Sequence, residues 1–129
     1  MRVGEAMSTT VVSVGPEHTL RQATEVMAAR RVGAAVVLDP DSSGYGIITE
    51  RDVLTCLADG GDPDTELVGA HRTTELVYAD TSWTLDEAAD AMLHGGFRHL
   101  VVVSDDGVAG VLSVRDIVRV WTADRSRIV

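Results

Sequence analysis

Two short motifs place a hydroxyl three residues before a carboxylate. The first pairs Thr49 with Asp52, and the second pairs Ser113 with Asp116. Each follows a glycine and two aliphatic residues, a pattern that predicts a strand passing into a helix. A carboxylate in the first turn of a helix can accept both hydroxyl protons of a vicinal diol, and the field of the helix N-terminus favours an anion. The same spacing is also an ordinary helix start that needs no ligand.

Arginine supplies all 11 basic side chains of the chain, so an anion site must use guanidinium groups, histidine or backbone N–H groups. Arg98 and His99 are the strongest phosphate candidates, because a guanidinium can bind phosphate through two parallel hydrogen bonds. Arg51 and Arg115 each precede a motif aspartate and are weaker candidates for the same phosphate, because an arginine in the first turn of a helix more often points into solvent. The alternative for all four is an exposed cation at a sheet edge or in the first turn of a helix.

Two features of the sequence bear on metal binding. The segment from Asp39 to Glu50 has the oxygen spacing of an EF-hand calcium loop, but the apolar residues around it predict strands, so we predict no calcium site. The four histidines and Cys56 form no pair at the sequence spacing of a zinc site. The sequence leaves open a zinc site assembled from them across a cleft. A single cysteine excludes an intramolecular disulfide and fits a reducing compartment.

Composition narrows the class of protein. The 129 residues are 45% hydrophobic and 24% charged, which is typical of a folded globular protein. The net charge of −9 argues against nucleic-acid binding, since that affinity depends largely on neutralising phosphates. No apolar run approaches the roughly 20 residues that span a bilayer, and the N-terminus lacks the apolar core of a secretory signal. These features predict a cytoplasmic protein without a membrane segment.

An internal repeat covers nearly the whole chain. A shift of 65 residues maps Thr19-Leu20 onto Thr84-Leu85, and a shift of 64 maps Arg51-Asp52 onto Arg115-Asp116. The lost residue falls in a turn that is shorter in the second copy. Each copy has only about 60 residues, which makes a separate hydrophobic core marginally stable, so we expect the two copies to share one core.

Each copy has the pattern β-α-β-β-α, which gives the fold class α+β (α/β). The first helix of each copy begins with a capping box, a Thr followed three residues later by Gln or Glu, and carries one apolar stripe. The apolar run after it suits a strand buried on both faces. The predicted limits are 1–62 and 63–129 for the repeats, 11–14, 34–38, 45–48, 76–79, 100–103 and 108–112 for the strands, and starts at Thr49 and Ser113 for the closing helices.

The order, the spacing and the duplication resemble a pair of cystathionine-β-synthase-type (CBS) domains, a Bateman module. The resemblance covers about residues 3 to 122 and includes both repeat endings, Gly-Ile-Ile-Thr-Glu-Arg-Asp-Val and Gly-Val-Leu-Ser-Val-Arg-Asp-Ile. It implies repeats packed through their sheets with pseudo-twofold symmetry. It also implies an adenosine-containing ligand (AMP, ADP, ATP or S-adenosylmethionine) in the cleft between them. Because no Ser/His/Asp or Cys/His arrangement has local support, we predict a regulatory module and not an enzyme.

The resemblance also implies roles for individual residues. The hydroxyl and carboxylate of both motifs would hold the ribose. The phosphate would lie against Arg98 or His99, where some nucleotide-binding members carry a basic pair, whereas the first copy has Gly33-Ala34 at this position. Apolar walls for the adenine are predicted at six positions that fit core residues equally well. They are Val12, Val77, Ala34, Ala35, Ile48 and Leu112.

Two functions therefore stay open. The first is a sensor whose adenosyl ligand changes a surface read by an effector protein of unknown identity, and the alternative is a ligand-free dimerisation or scaffold module. Both closing helices carry more apolar side chains than one stripe against a sheet requires, which predicts a homodimer through these helices. The side chains are Val53, Leu54, Cys56, Leu57 and Ala58 in the first copy and Ile117, Val118, Val120, Trp121 and Ala123 in the second.

Overall fold

A computed structural model describes residues 1–42 and 44–128, with side chains for 1–42 and 44–123. The chain forms two compact units. The first-repeat unit is Val11–Leu76, and the second-repeat unit combines Met1–Thr10 with Val77–Val129. Each unit thus joins most of one repeat to the leading segment of the other. The repeat limits drawn from the sequence, 1–62 and 63–129, stay a prediction about the duplication.

Helices and strands follow one another in the same order, α-β-α-β-β-α, in both halves of the chain. In chain order they are α1 (Val3–Ala6), β1 (Ser13–Val14), α2 (Leu20–Arg30), β2 (Ala34–Val37), β3 (Gly46–Thr49), α3 (Glu50–Ala58), α4 (Val68–His71), β4 (Tyr78–Asp80), α5 (Leu85–Gly95), β5 (His99–Ser104), β6 (Gly107–Ser113) and α6 (Val114–Ile128). Among the residues that the structure describes, no helix is both long and apolar enough to cross a bilayer.

Each unit contains one three-stranded sheet with the same pairing. β1 runs parallel to β2, and β2 runs antiparallel to β3. In the other unit β4 runs parallel to β5, and β5 runs antiparallel to β6. The predicted fold class, a mixed α/β protein, is confirmed. All four residues of β2 are buried, as the continuous apolar run predicted, but Leu38 at the end of that run lies outside β2 and is exposed.

The short helices α1 and α4 were not predicted. Each has four residues and a related sequence, Val-Gly-Glu-Ala in α1 and Val-Gly-Ala-His in α4. A single turn is too short to show helical periodicity, which explains why the pattern missed them. Backbone hydrogen bonds attach α1 to the second-repeat unit, where Val3 N donates to Trp83 O at 2.8 Å. Those of α4 attach it to the first-repeat unit, where Val68 N donates to His18 O at 2.8 Å.

Each unit has its own hydrophobic core, instead of the single core that the sequence predicted for both copies, and alternate strand residues meet the helices there. In the first-repeat unit Ala35 and Val37 of β2 lie in the core with Leu20 and Met27 of α2. The second-repeat unit repeats this arrangement with strand β5 and helix α5. Both capping boxes are formed: the side chain of Thr19 accepts a hydrogen bond from Gln22 N at 3.1 Å, as predicted from the sequence.

Helices α2 and α5 are each followed by a residue in the left-handed backbone conformation, which glycine adopts more easily than other residues. The residues that follow these helices, Arg31 and Gly96, occupy equivalent repeat positions, and both have left-handed φ angles, 56° and 71°. This conformation costs a non-glycine residue about 1–2 kcal/mol, partly offset by the entropy that glycine loses on folding. Arg31→Gly is therefore expected to raise the free energy of unfolding by about 0.5–1 kcal/mol, measured by urea denaturation.

A glycine placed inside the same helix gives the control. Ala28 is exposed on α2, so Ala28→Gly is expected to lower the free energy of unfolding by about 1 kcal/mol. The opposite signs separate relief of backbone conformation from a general effect of glycine. A loss of stability in Arg31→Gly equal to that in Ala28→Gly would contradict the prediction.

Candidate functional site

The first hydroxyl–carboxylate motif joins β3 to α3. Thr49 caps α3, and Asp52 Oδ2 accepts hydrogen bonds from Thr49 N at 2.8 Å and from Thr49 Oγ1 at 3.0 Å. The second carboxylate oxygen, Oδ1, accepts no hydrogen bond from the part of the chain that the structure describes. Because the hydrogen bonds to Oδ2 fix the half-buried Asp52 side chain, its Oδ1 is a pre-oriented acceptor.

The second motif joins β6 to α6 in the same way, with one difference. Asp116 Oδ2 accepts hydrogen bonds from Ser113 N at 2.9 Å and from Ser113 Oγ at 3.1 Å. Its Oδ1 is occupied by the guanidinium of Arg119, which forms an ion pair with it. The equivalent residue in the first repeat is Thr55. The repeats therefore differ at the oxygen that would accept a ribose hydroxyl.

Sequence reasoning missed Arg119, although its three-residue spacing from Asp116 on a helix is a usable signal. The Asp116 side chain is 8% exposed, whereas that of Arg119 is 63% exposed. An exposed guanidinium keeps much of its hydration and rotamer freedom, so this ion pair is weak, about 0.2–1 kcal/mol. A ligand could displace Arg119 from Oδ1 at a small cost.

The phosphate candidates of the second repeat flank this motif. His99 pairs with Ser113 across β5 and β6, and Val114 N donates to Arg98 O at 3.0 Å. His99 is half-buried, and Arg98 is exposed. The Arg98 guanidinium has no ion pair or hydrogen bond with the residues described here. Arg115 is exposed in the first turn of α6.

The first repeat has the same backbone but the opposite charge at this junction. Ala34 pairs with Thr49, and Glu50 N donates to Gly33 O at 2.9 Å, as Val114 does to Arg98. A Cβ atom on Gly33 would lie 3.0 Å from Glu50 Oε1, so the carboxylate covers this glycine. Arg51 is exposed on α3. A phosphate beside Gly33 would meet a carboxylate, whereas one beside Arg98 would meet a cation.

The six residues predicted to surround adenine fall into different environments. Val12, Ala35 and Ile48 lie in the core of the first-repeat unit, and Leu112 lies in the core of the second-repeat unit. Ala34 is buried, whereas Val77 is exposed. Ile48 and Leu112 have no exposed surface, because each points into the core of its own unit. A role for these positions in an adenine pocket stays a prediction.

The chain is similar in sequence and in structure to known proteins. The family model described as "CBS domain" matches residues 3–59 and 68–122. An uncharacterized 17.7 kDa protein of Acidianus ambivalens is 33% identical over 119 residues, covering 92% of this chain and 71% of that protein. A putative signal-transduction protein with CBS domains from Burkholderia ambifaria has a TM-score of 0.86 at 26% identity, over 96% of each chain.

A further solved structure carries a ligand. It is the CBS domain protein PAE2072 from Pyrobaculum aerophilum, complexed with AMP. Its TM-score is 0.78 at 29% identity, and the match covers 90% of this chain and 89% of that one.

Proposed function

The chain belongs to the CBS domain family, and from that premise we propose that it is a regulatory module, not an enzyme, which binds an adenosine-containing ligand and signals to an effector protein. One observation carries the proposal. A cation, Arg98, and a carboxylate, Asp116, flank the same strand-to-helix junction of the second-repeat unit. These are the two chemical groups that a nucleoside phosphate requires, an anion receptor and an acceptor for ribose hydroxyls.

The second motif is the proposed ribose site for a phosphorylated ligand. Asp116 is fixed by Ser113, so its oxygen Oδ1 has a defined position. Arg119 pairs with that oxygen, and the ribose would take its place. The first motif has the more open carboxylate, Asp52, but Glu50 nearby disfavours a phosphate. The two motifs are therefore not equivalent for a charged ligand.

AMP is the first ligand to test, because the similar protein PAE2072 is described as complexed with AMP. ADP, ATP and S-adenosylmethionine are the other candidates. A ligand that binds only the folded state at 100 times its dissociation constant adds about 2.7 kcal/mol of stability. The melting temperature of a domain of this size should rise by several degrees. If all four ligands leave the melting curve unchanged, the alternative of a ligand-free dimerisation or scaffold module is preferred.

Asparagine substitutions test the ribose site without removing the helix cap. In Asp116→Asn the amide oxygen can still accept from Ser113, but an NH₂ group replaces the second acceptor. We expect AMP affinity, measured by calorimetry, to fall about tenfold or more, since a hydrogen bond to a charged group contributes about 1.5–3 kcal/mol. Asp52→Asn is the matched control with a smaller expected effect. Equal, unchanged affinity in both variants would remove these carboxylates from the site.

Comparison of AMP with adenosine isolates the phosphate contact. Arg98→Ala is expected to weaken AMP about tenfold or more and to leave adenosine unchanged, because only AMP carries the charge. In Arg119→Gln the competitor of the ribose is gone, so AMP should bind about twofold to fivefold more tightly. Weaker AMP binding by Arg119→Gln would instead assign Arg119 to the phosphate.

A further inference from the structure

A thiol, an imidazole and a carboxylate converge in the first-repeat unit, away from both motifs in sequence. They belong to Cys56, Glu66 and His71, whose potential ligand atoms all lie within 4.8 Å of one another. Cys56 is on the last turn of α3, Glu66 lies in the connection to α4, and His71 is the last residue of α4. The spacings of ten and five residues match no zinc motif, so only the fold reveals the group.

The backbone around the thiol is closely fitted. Gly61 N donates to Cys56 O at 2.9 Å, which turns the chain back over the end of α3. A Cβ atom on Gly61 would lie 2.4 Å from Cys56 Sγ, so the connection passes over the sulfur only because this residue is glycine. Glu66 is anchored in turn, since Leu20 N donates to Glu66 O at 2.9 Å. The three side chains are thus brought together by fixed backbone.

We propose that Cys56, Glu66 and His71 bind a divalent transition-metal ion, preferably zinc, with water as the fourth ligand. Thiolate, imidazole and carboxylate are all established zinc ligands, and three protein ligands plus water complete a tetrahedron. With bonds of about 2.0–2.3 Å, the ligand atoms around zinc lie roughly 3.3–3.6 Å apart. His71 Nε2 and Glu66 Oε1 are 3.0 Å apart, so two of the three are already near this distance.

The surroundings suit a cation. The sulfur is buried, whereas the side chains of His71 and Glu66 are 24% and 43% exposed, so an ion can enter from their side. The carboxylates of Glu66, Asp59 and Asp62 produce a negative potential at the sulfur, which attracts a cation, and a bound metal ion stabilises the thiolate.

Calorimetric titration of the full chain with Zn²⁺ alone tests the proposal. We expect one ion per chain, and at least about a 100-fold loss of affinity in both Cys56→Ala and His71→Gln, because changes in the outer shell alone already cost 10–100-fold. His94→Gln is the matched control, since His94 is exposed on α5 and lies outside the cluster. Its affinity for Zn²⁺ should equal that of the unmodified protein.

Co²⁺ provides a second readout, which for the unmodified chain does not depend on the folding of any variant. Binding to the unmodified chain should produce thiolate-to-cobalt charge-transfer absorption and the intense visible bands of a tetrahedral ion. His94→Gln should keep this spectrum, and His71→Gln should lose it. Zn²⁺ binding that is unchanged in Cys56→Ala, or Co²⁺ binding without the thiolate absorption, would overturn the proposal. AMP titrations are independent of this result, because the proposed ribose and phosphate contacts use none of the three residues.

Discussion

Trp121→Glu and Leu57→Glu are each expected to convert a homodimer into a monomer. In the closing helices Val53, Cys56 and Ile117 are buried in the cores of their own units, as one stripe against a sheet requires. Part of the excess apolar surface predicted from the sequence is present beside them, since Leu54 and Leu57 on α3 and Val118 and Trp121 on α6 are exposed. Val120 packs against the core instead, and Val114, which was not predicted, is also exposed. We propose that a second copy of the chain covers the exposed side chains.

The expected effect is large because twofold symmetry applies each substitution twice. Trp121 is 48% exposed, so glutamate costs little in a monomer, but it would bury a charge in an apolar interface. Truncating an interface hot spot typically costs 2 kcal/mol or more. Two such losses raise the dissociation constant of the dimer about a thousandfold.

Light scattering coupled to size exclusion, at tens of micromolar protein, measures the change in mass. Leu93→Glu is the matched control, because Leu93 is exposed on α5, outside the closing helices. This variant should keep the dimer mass. A monomer mass for the unmodified protein would contradict the dimer, and a dimer mass for both helix variants would move the interface elsewhere.

Leu112→Ala is expected to lower the free energy of unfolding by about 2–5 kcal/mol. Leu112 has no exposed surface and lies in the core of the second-repeat unit with Leu100 and Ile117. Removing three carbon atoms there loses apolar burial and leaves a cavity that the surrounding strands can fill only in part. Such a loss is a large fraction of the 5–15 kcal/mol that typically stabilises a domain.

Urea denaturation gives the comparison, and Leu93→Ala is the same substitution at a site that is 80% exposed. Its free energy of unfolding should change by no more than about 0.5 kcal/mol. Nucleotide affinity of folded Leu112→Ala also tests the adenine prediction. A loss of affinity without loss of stability would assign Leu112 to a pocket, against the core position seen here.

The features that could be predicted from the sequence depend on neighbours along the chain. The capping boxes and both hydroxyl–carboxylate motifs join residues three apart, so their hydrogen bonds follow once a helix begins. The equivalence of Gly33-Ala34 with Arg98-His99 followed from the repeat, and the strand register agrees with it. The repeat in the sequence is therefore enough to show that only the second copy has a basic pair at this position.

The features that were missed depend either on the conformation of a side chain or on segments that lie far apart in the sequence. Whether Arg119 pairs with Asp116 or points to solvent is decided by side-chain geometry, which spacing alone leaves open. Cys56 and His71 meet because the connection reverses over Gly61, and no periodic pattern encodes that reversal. Ile48 and Leu112 directly precede Thr49 and Ser113 in the sequence. Successive residues of a strand point to opposite faces of the sheet, so the two apolar side chains lie in the cores and not beside the motif hydroxyls.

The attachment of α1 and α4 constrains how this gene can change. Gly4 N donates to Thr81 O at 3.0 Å in the second-repeat unit, and Gly69 N donates to Pro16 O at 2.8 Å in the first-repeat unit. Each half of the duplication therefore contributes the opening helix of the other. Deleting the first half would remove buried Val3 from the second-repeat unit, and deleting the second half would remove buried Val68 from the first-repeat unit. Selection must then retain or lose the two halves together, and their sequences can diverge only while each still fits its neighbour's opening helix.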